Sequence, residues 1–176
     1  MFVQNAGYEG LQPIESVTDD VLDAIIATNL SSTILLCRTL VPAMKANGWG
    51  RLIFLTSATT CASDINGHSI YTATKCGLEG LARTLAVELG RSGITANCIS
   101  PGSYLTDQAR GVLGKLEAEA GKAAYDMFAT MSAIGRWGDP TDLMGALVLL
   151  ASDAGRFITG EVLRVDGGLA IKLTPS

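Results

Sequence analysis

The chain has 176 residues, of which 48% are hydrophobic and 17% are charged, and its formal net charge is −4. This length suits a single domain with a sizeable core, and the apolar composition excludes a disordered chain. A slightly acidic protein is a poor partner for a nucleic-acid backbone, which requires clustered lysine and arginine. The apolar surplus instead fits a homo-oligomer.

Targeting and metal-binding signals are absent from the sequence. No apolar run reaches the roughly 18 residues of a membrane span, because charged residues such as Arg38 and Asp142 interrupt the candidates. The first ten residues lack the basic start and apolar stretch of a secretory signal, so we expect a cytoplasmic protein without a membrane segment. The four cysteines are too widely spaced for metal-ligand pairs, which predicts buried, inert thiols and no metal site.

The first part of the chain predicts a strand, a long helix and a second strand. MFVQNAG, residues 1–7, is a short strand that ends in a turn. From Ser16, hydroxyl and acidic residues precede apolar residues at helical spacing, and this helix continues, or bends and resumes, through residues 32–48. RLIFLTS, residues 51–57, is a continuous apolar run, which is typical of a parallel strand covered on both faces.

The second part repeats the alternation. A helix is predicted over residues 69–90, followed by the strand ITANCIS at 94–100 and a helical stretch over 106–131. Another helix starts at Asp139-Pro140, and EVLRVDGG at 161–168 forms a last strand and turn. This order predicts an α/β fold in which helices cover both faces of a parallel sheet, as one domain over residues 1–176.

Tyr71 and Lys75 are four positions apart on a predicted helix, so their side chains share one face. A phenol has an ordinary pKa of about 10, and a nearby ammonium lowers that pKa by stabilising the phenolate. The pair would then supply a general acid or base. Because isolated pairs of this kind are more often structural, the neighbouring residues decide the interpretation.

Three further polar residues have both a functional and a structural interpretation. Ser57 closes a predicted strand, where a hydroxyl either donates to a substrate oxygen or forms a turn. Asn29 lies on the apolar stripe of the first helix and needs partners, either backbone groups at a bend or water. His68 precedes the Tyr71 helix in a polar loop, which predicts a cap or a surface residue.

Six segments occur in the order seen in the short-chain dehydrogenase/reductase family. They are QNAG (4–7), NL (29–30), GRLIFLTS (50–57), YTATK (71–75), ANCISPGSYLTD (96–107) and ITGEVLRVDGG (158–168). The chain resembles this family over nearly its whole length. The resemblance implies a Rossmann-like doubly wound parallel sheet and an enzyme that interconverts a ketone and a secondary alcohol by hydride transfer with NAD or NADP.

The resemblance also implies a catalytic tetrad of Asn29, Ser57, Tyr71 and Lys75. Tyr71 would exchange a proton with the substrate oxygen, and Ser57 would hydrogen-bond that oxygen. Lys75 would lower the pKa of Tyr71 and hold the nicotinamide ribose, and Asn29 would support a water that links Lys75 to solvent. Tyr71 and Lys75 would contact the cofactor together with Asn5, Ala6, Gly7, Pro101, Gly102 and Thr106.

Partners follow from the same resemblance. Residues 69–90 and 139–168 resemble the surfaces by which the family forms dimers and tetramers, although their apolar faces also suit an intrachain core. Residues 106–131 match the family's variable substrate lid. We expect a small carbonyl or alcohol substrate, favouring a sugar-type polyol or a 3-oxoacyl thioester over a steroid, and no nucleic-acid or membrane partner.

Two features depart from the family pattern. One extra residue separates Ser57 from Tyr71, which leaves Thr56 and Ser63 as alternative contacts for the substrate oxygen. No glycine-rich phosphate-binding turn follows a strand, and Met1 stands where the family's fourth strand begins, so we expect only the C-terminal two thirds of the fold. Three explanations compete: part of a longer chain, a partner that supplies the rest, or a shortened, non-catalytic oligomerisation or binding subunit.

Overall fold

The sheet is built from the predicted apolar runs. A computed structural model describes residues 1–61, 65–115 and 118–171. Its four strands pair in chain order, all parallel, with Ile53 opposite Val3 on one side and Asn97 on the other. The strands are β1 (Phe2–Gln4), β2 (Gly50–Leu55), β3 (Ile94–Pro101) and β4 (Val162–Val165).

Helices and short 3-10 turns connect these strands. The helices are α1 (Asp19–Ile26), α2 (Ser32–Ala46), α3 (Ser69–Leu89), α4 (Asp107–Leu113), α5 (Ala118–Met131) and α6 (Met144–Ala151), with a π-helical segment at Ala27–Ser31. The 3-10 turns are Ile14–Ser16, Ala58–Thr60, Gly90–Ser92, Pro140–Leu143, Asp153–Gly155 and Leu169–Ile171. The predicted parallel sheet with helices on its faces is confirmed, and β1 lies at one edge, as expected.

Two apolar layers explain why β2 is apolar at successive positions. Leu52 and Phe54 pack with residues of α2 and α3, whereas Ile53 and Ile99 pack on the other face with Leu150 of α6. All five side chains are almost completely buried. Burial of a side chain of this size contributes about 1.5–3 kcal/mol, so the two layers together hold the carboxyl ends of the strands in place.

The first long helix is continuous but widens at its centre. α1 passes through the π-helical segment Ala27–Ser31 into α2, and two hydroxyls bond carbonyls there: Ser32 donates to the Thr28 carbonyl oxygen at 2.6 Å and Thr33 to the Asn29 carbonyl oxygen at 3.2 Å. Single π turns inside helices occur frequently at functional sites. The predicted choice between a continuous helix and a bend is therefore resolved as a continuous helix with a π turn.

This helix also bears on the membrane prediction. The stretch Asp19–Ala46 has 28 residues and a mean hydropathy of 1.5 over its most apolar window, so by length and composition alone it is able to cross a membrane. The expectation that no segment reaches this length is therefore wrong for the helix as folded. Core helices of globular proteins pass the same test when they are mostly buried; here 22% of the window is buried, and the helix buries Ile25, Thr33, Cys37 and Met44.

The cysteines divide into two kinds. Cys37 and Cys98 are buried, and burial raises the pKa of Cys37 to about 11 and that of Cys98 to about 12. Cys61 and Cys76 are exposed, so the prediction of four buried thiols is wrong for these two. Cys61 follows a 3-10 turn, and Cys76 lies on the solvent side of α3. In the described part of the chain, no group of three or more His, Cys, Asp or Glu residues is placed to hold a metal.

Candidate active site

A cleft of about 560 Å³ lies at the carboxyl ends of the strands. Parallel strands end at the same edge of a sheet, and the loops after β1, β2 and β3 meet the start of α3 there. Eight predicted residues line this cleft: Asn5, Gly7, Ser57, Tyr71, Lys75, Pro101, Gly102 and Thr106. Ala6 and Asn29 were also predicted for the site, but neither is among the lining residues.

Ser57 presents its hydroxyl to Tyr71. Its oxygen accepts a hydrogen bond from the Thr59 amide at 3.3 Å, and the hydroxyl lies close enough to the Tyr71 phenol to lower the pKa of that phenol. Thr56 is tied to the sheet instead, since its amide and its hydroxyl donate to the Ile99 carbonyl at 2.8 and 3.3 Å. Of the alternatives left open by the sequence, Ser57 is therefore the hydroxyl beside Tyr71; Ser63 lies outside the described residues.

The Tyr71 phenol is a weaker acid than the sequence predicts. Burial raises its pKa, the neighbouring Ser57 hydroxyl lowers it, and the negative charge of Glu9 raises it further, so that the net pKa is above the ordinary value. The expected net fall in this pKa is therefore not found, because burial has the larger effect. The Lys75 ammonium lies 5.4 Å from the centre of the Tyr71 ring, and the effect of burial outweighs other influences.

Lys75 is a buried cation with unused donors. Only 3% of the residue is exposed, and burial lowers its pKa to about 8, although the neighbouring Cys98 and Glu9 side chains act in the opposite direction. Its ammonium donates to the Leu55 carbonyl oxygen at 2.7 Å. An ammonium has three donors, and no second acceptor bonds it within the described residues. Lys75 can therefore donate to a ligand in the cleft.

The Asn29 side chain finds its hydrogen-bond partners on two other segments rather than on its own helix. Its side chain accepts from the Tyr8 amide at 2.8 Å and donates to the Tyr8 carbonyl at 3.0 Å and the Thr74 hydroxyl at 3.1 Å. Thr74 in turn donates to the Tyr71 carbonyl at 2.7 Å. The predicted need for partners is confirmed, and Asn29 joins the loop after β1 to the first turns of α3. Its support of a water stays a prediction.

Removing the Asn29 amide should destabilise the fold. Asn29→Ala would remove the partner of the buried Thr74 hydroxyl and of the Tyr8 backbone groups, and we expect the free energy of unfolding to fall by about 2–4 kcal/mol. Urea unfolding measures this change. Asn47→Ala, at an exposed position after α2, serves as the matched control and should change stability by less than about 1 kcal/mol. A loss below 1 kcal/mol for Asn29→Ala would contradict this role.

Two lining residues were missed or misjudged from the sequence. His68 occupies the N-cap position of α3, as predicted, but its side chain makes no capping bond and the residue is only 7% exposed. Its ring lies 5.2 Å from that of Tyr71 between centroids. The interpretation as a surface residue is therefore wrong, because the loop after β1 covers the imidazole. Glu9, on that loop, also lines the cleft.

The predicted lid forms two helices with an apolar inner side. The expected helical stretch over 106–131 is divided into α4 and α5, and Thr106 accepts from the Ala109 amide at 3.2 Å at the start of α4. Apolar side chains of the lid and the segments after it line the cleft: Leu113, Phe128, Met131, Trp137, Leu143 and Leu169. Trp137 packs against Phe128 with ring centroids 5.2 Å apart. None of these six side chains was predicted individually from the sequence.

Known proteins match both the sequence and the fold. A family described as enoyl-(acyl carrier protein) reductase, within the short-chain dehydrogenases, matches residues 1–170. A tropinone reductase homolog from Arabidopsis thaliana is 33% identical over 171 residues, which cover 97% of this chain and 61% of the relative. A 7alpha-hydroxysteroid dehydrogenase from Bacteroides fragilis is 34% identical over 158 residues, covering 90% of this chain and 58% of the relative.

A solved structure extends the comparison. The gluconate 5-dehydrogenase from Burkholderia cenocepacia in complex with NADP and tartrate is 30% identical, with a TM-score of 0.88 over 97% of this chain and 64% of that one. The present chain thus spans about three fifths of the length of the relatives it matches. The predicted Rossmann-like fold, with only its C-terminal two thirds represented, agrees with these comparisons.

Proposed function

The chain belongs to the short-chain dehydrogenase/reductase family, and on this premise we propose that it is an oxidoreductase that interconverts a ketone and a secondary alcohol with NAD or NADP. The observation that carries the proposal is the convergence of Ser57, Tyr71 and Lys75 on one wall of the cleft. A non-catalytic subunit is less well supported, because it would gain nothing from burying a lysine whose charged form burial disfavours.

The proposed roles follow from the acidities of these groups. With its pKa raised by burial, Tyr71 keeps its proton at neutral pH and can donate it to a carbonyl oxygen during reduction. The Ser57 hydroxyl, which lies beside the phenol, can donate to the same substrate oxygen as negative charge develops on it. The phenolate left behind is stabilised by the nearby Lys75 charge. Alcohol oxidation uses the same groups in reverse.

The cleft fits a nicotinamide nucleotide at the positions available in this chain. Lys75 has donors suited to ribose hydroxyls. Gly7 lies next to its ammonium: a Cβ built at Gly7 would be 3.6 Å from the Lys75 Nζ atom, which is an ordinary contact distance. Asn5, Pro101, Gly102 and Thr106 are proposed as further contacts. Ala6 is a weaker candidate because its carbonyl accepts from the Gln4 side chain at 2.6 Å. When bound, the nicotinamide supplies or takes up the hydride.

Assembly is proposed on the basis of exposed apolar side chains. Val87 on α3 is 84% exposed, Val148 on α6 is 58% exposed, and Phe157 is completely exposed. These residues lie on the two segments whose sequence resembles the family's dimer and tetramer surfaces. A cytoplasmic homodimer or homotetramer is therefore proposed, in keeping with the tendency of such patches to mark interfaces.

Cofactor binding tests the proposed function. Titration of this chain with NADH and with NADPH should give a saturable change in cofactor fluorescence below millimolar concentration. Lys75→Met should weaken binding by about tenfold or more, because charged hydrogen bonds to the ribose are lost. Lys45→Met, which removes an exposed lysine at the end of α2, should leave affinity unchanged. No saturable change at millimolar cofactor would exclude the enzyme proposal for this chain.

A further inference from the structure

Glu9 and His68 face each other across the mouth of the cleft. The imidazole Nε2 lies 4.0 Å from the Glu9 carboxylate, which exceeds hydrogen-bond distance and leaves both groups able to bond a ligand. The His68 Nδ1 is also buried without a hydrogen-bond partner in the described structure. A buried polar atom without a partner carries a desolvation penalty, and at a site next to the reacting groups this points to a ligand.

The two loops that carry this pair are locked to each other. The Gln12 amide donates to the Gly67 carbonyl at 3.2 Å, and a Cβ at Gly67 would lie 3.1 Å from the Gln12 backbone. Gly67 has a φ of +90°, a conformation that suits glycine, so its small size and its turn both permit this close approach. The position of Glu9 relative to His68 is therefore set by the fold.

The backbone at Glu9 is fixed by the contacts of the residues before and after it. The preceding residue, Tyr8, has its amide and its carbonyl bonded by Asn29. The following residue, Gly10, has a φ of +53°, and a Cβ there would come within 2.7 Å of Ile25 on α1. The carboxylate remains 57% exposed while its backbone is fixed. Such preorganisation is what a recognition group requires, because little order is lost when a ligand binds.

The charged side chains of the cleft are confined to part of its lining. Among the described lining residues, Glu9 and Lys75 are the charged side chains, and Lys75 is proposed to hold the cofactor ribose. A substrate therefore meets a carboxylate at the Glu9 end. The side chains of the lid wall, including Leu113, Phe128 and Trp137, are apolar. One end of the site suits a hydrogen-bond donor, and the other suits an apolar group.

On the basis of the proposed function, we infer that Glu9 and His68 select substrates with a hydrogen-bond donor, a hydroxyl or an ammonium, on one arm of the reacting carbon. The lid wall takes the other, apolar arm. A sugar-type polyol supplies the donor but lacks the apolar arm, whereas a 3-oxoacyl thioester supplies the apolar arm but presents acceptors towards Glu9. Carboxylates are disfavoured because Glu9 repels them and because Lys75, the cation among the described lining residues, is proposed to hold the cofactor ribose.

Four probes that differ in one group test this selection. They share a phenyl ring and a secondary alcohol: 1-phenylethane-1,2-diol, 2-amino-1-phenylethanol, mandelate and 1-phenylpropan-1-ol. Binding is followed by NMR through the indole N–H signal of Trp137, which lines the cleft, with exposed Trp49 as an internal reference. We expect the diol and the amino alcohol to bind about tenfold more tightly than 1-phenylpropan-1-ol, and mandelate to bind most weakly.

Two substitutions test whether Glu9 and His68 are responsible for the preference among the probes. Glu9→Gln should abolish the preference for the amino alcohol over mandelate, and Glu88→Gln, at the far end of α3, should preserve it. His68→Phe keeps a ring beside Tyr71 and should reduce the preference for the diol. A wild-type chain that binds mandelate as tightly as the diol, or gives no Trp137 shift with any probe, overturns the inference.

This experiment separates the inference from the proposed function. Probe binding is measured with and without NADPH and requires no turnover, so absent hydride transfer would remove the proposed activity while leaving the selection intact. Cofactor binding without the expected order of probes would remove only the inference. An amino alcohol that binds more tightly than the diol identifies a cationic donor, and equal binding identifies a neutral one.

Discussion

Replacing Tyr71 with phenylalanine is expected to lower kcat by about 10²–10⁴-fold while the protein stays folded. The substitution removes the phenolic proton and keeps the ring that packs near His68 and the Lys75 ammonium. Loss of the phenolic hydroxyl beside Ser57 should reduce the free energy of unfolding by only about 1 kcal/mol. Steady-state reduction of a ketone accepted by the wild-type protein, with NADPH as donor, measures the effect.

A second tyrosine near the cleft provides the control. Tyr125→Phe keeps the ring that stacks on Trp137, with centroids 5.8 Å apart, and should leave kcat within about twofold of the wild-type value. Both variants should bind NADPH as the wild-type protein does if only the proton transfer is affected. A Tyr71→Phe protein that retains more than a tenth of the wild-type kcat would remove Tyr71 from its proposed role.

Strand β2 was predictable because its residues 52–55 are apolar on both faces. β2 buries Leu52 and Phe54 towards one layer of helices and Ile53 towards the other, so apolar and polar residues do not alternate along it. The π turn at Ala27–Ser31 was not predictable in the same way. It depends on where the Asn29 side chain finds its partners, Tyr8 and Thr74, and these lie on other segments.

The reacting residues and the recognition residues differ in how far sequence can locate them. Tyr71 and Lys75 share a helical face whatever surrounds the helix, and Ser57 follows the end of a strand, so local pattern was sufficient to propose them. Glu9 and His68 come together only because two loops pack at Gly67 and Gln12. The polar composition of those loops indicated exposure, whereas the fold buries the imidazole.

The pKa of Tyr71 is another property that the local sequence does not predict. Sequence spacing identifies a cation near the phenol and therefore predicts a lower pKa. It does not measure how much solvent the fold removes, and burial is the larger effect on both members of the pair, raising the pKa of Tyr71 and lowering that of Lys75. The consequence is a protonated phenol beside a lysine that is close to its own pKa at neutral pH, an arrangement that suits proton donation to a carbonyl.

Replacing Lys75 with methionine is expected to stabilise the fold although it weakens cofactor binding. Lys75 is 3% exposed, and burial lowers its pKa from 10.5 to about 8, so the protein must bury a disfavoured charge at neutral pH. At about 1.4 kcal/mol per pKa unit this penalty is about 3 kcal/mol. Loss of the hydrogen bond to the Leu55 carbonyl offsets about 1 kcal/mol, which leaves a net gain of about 2 kcal/mol at pH 7.

The sign of the pH dependence separates this effect from better packing. Between about pH 8 and 10.5 the unfolded chain binds more protons at Lys75 than the folded chain does, so wild-type stability rises with pH through this window. The advantage of Lys75→Met should therefore be largest at pH 7 and shrink towards pH 10, as measured by urea unfolding. Lys45→Met, at an exposed site, should show no such trend. A constant difference at both pH values would mean that Lys75 carries no buried-charge penalty, and its retention would then need no functional explanation.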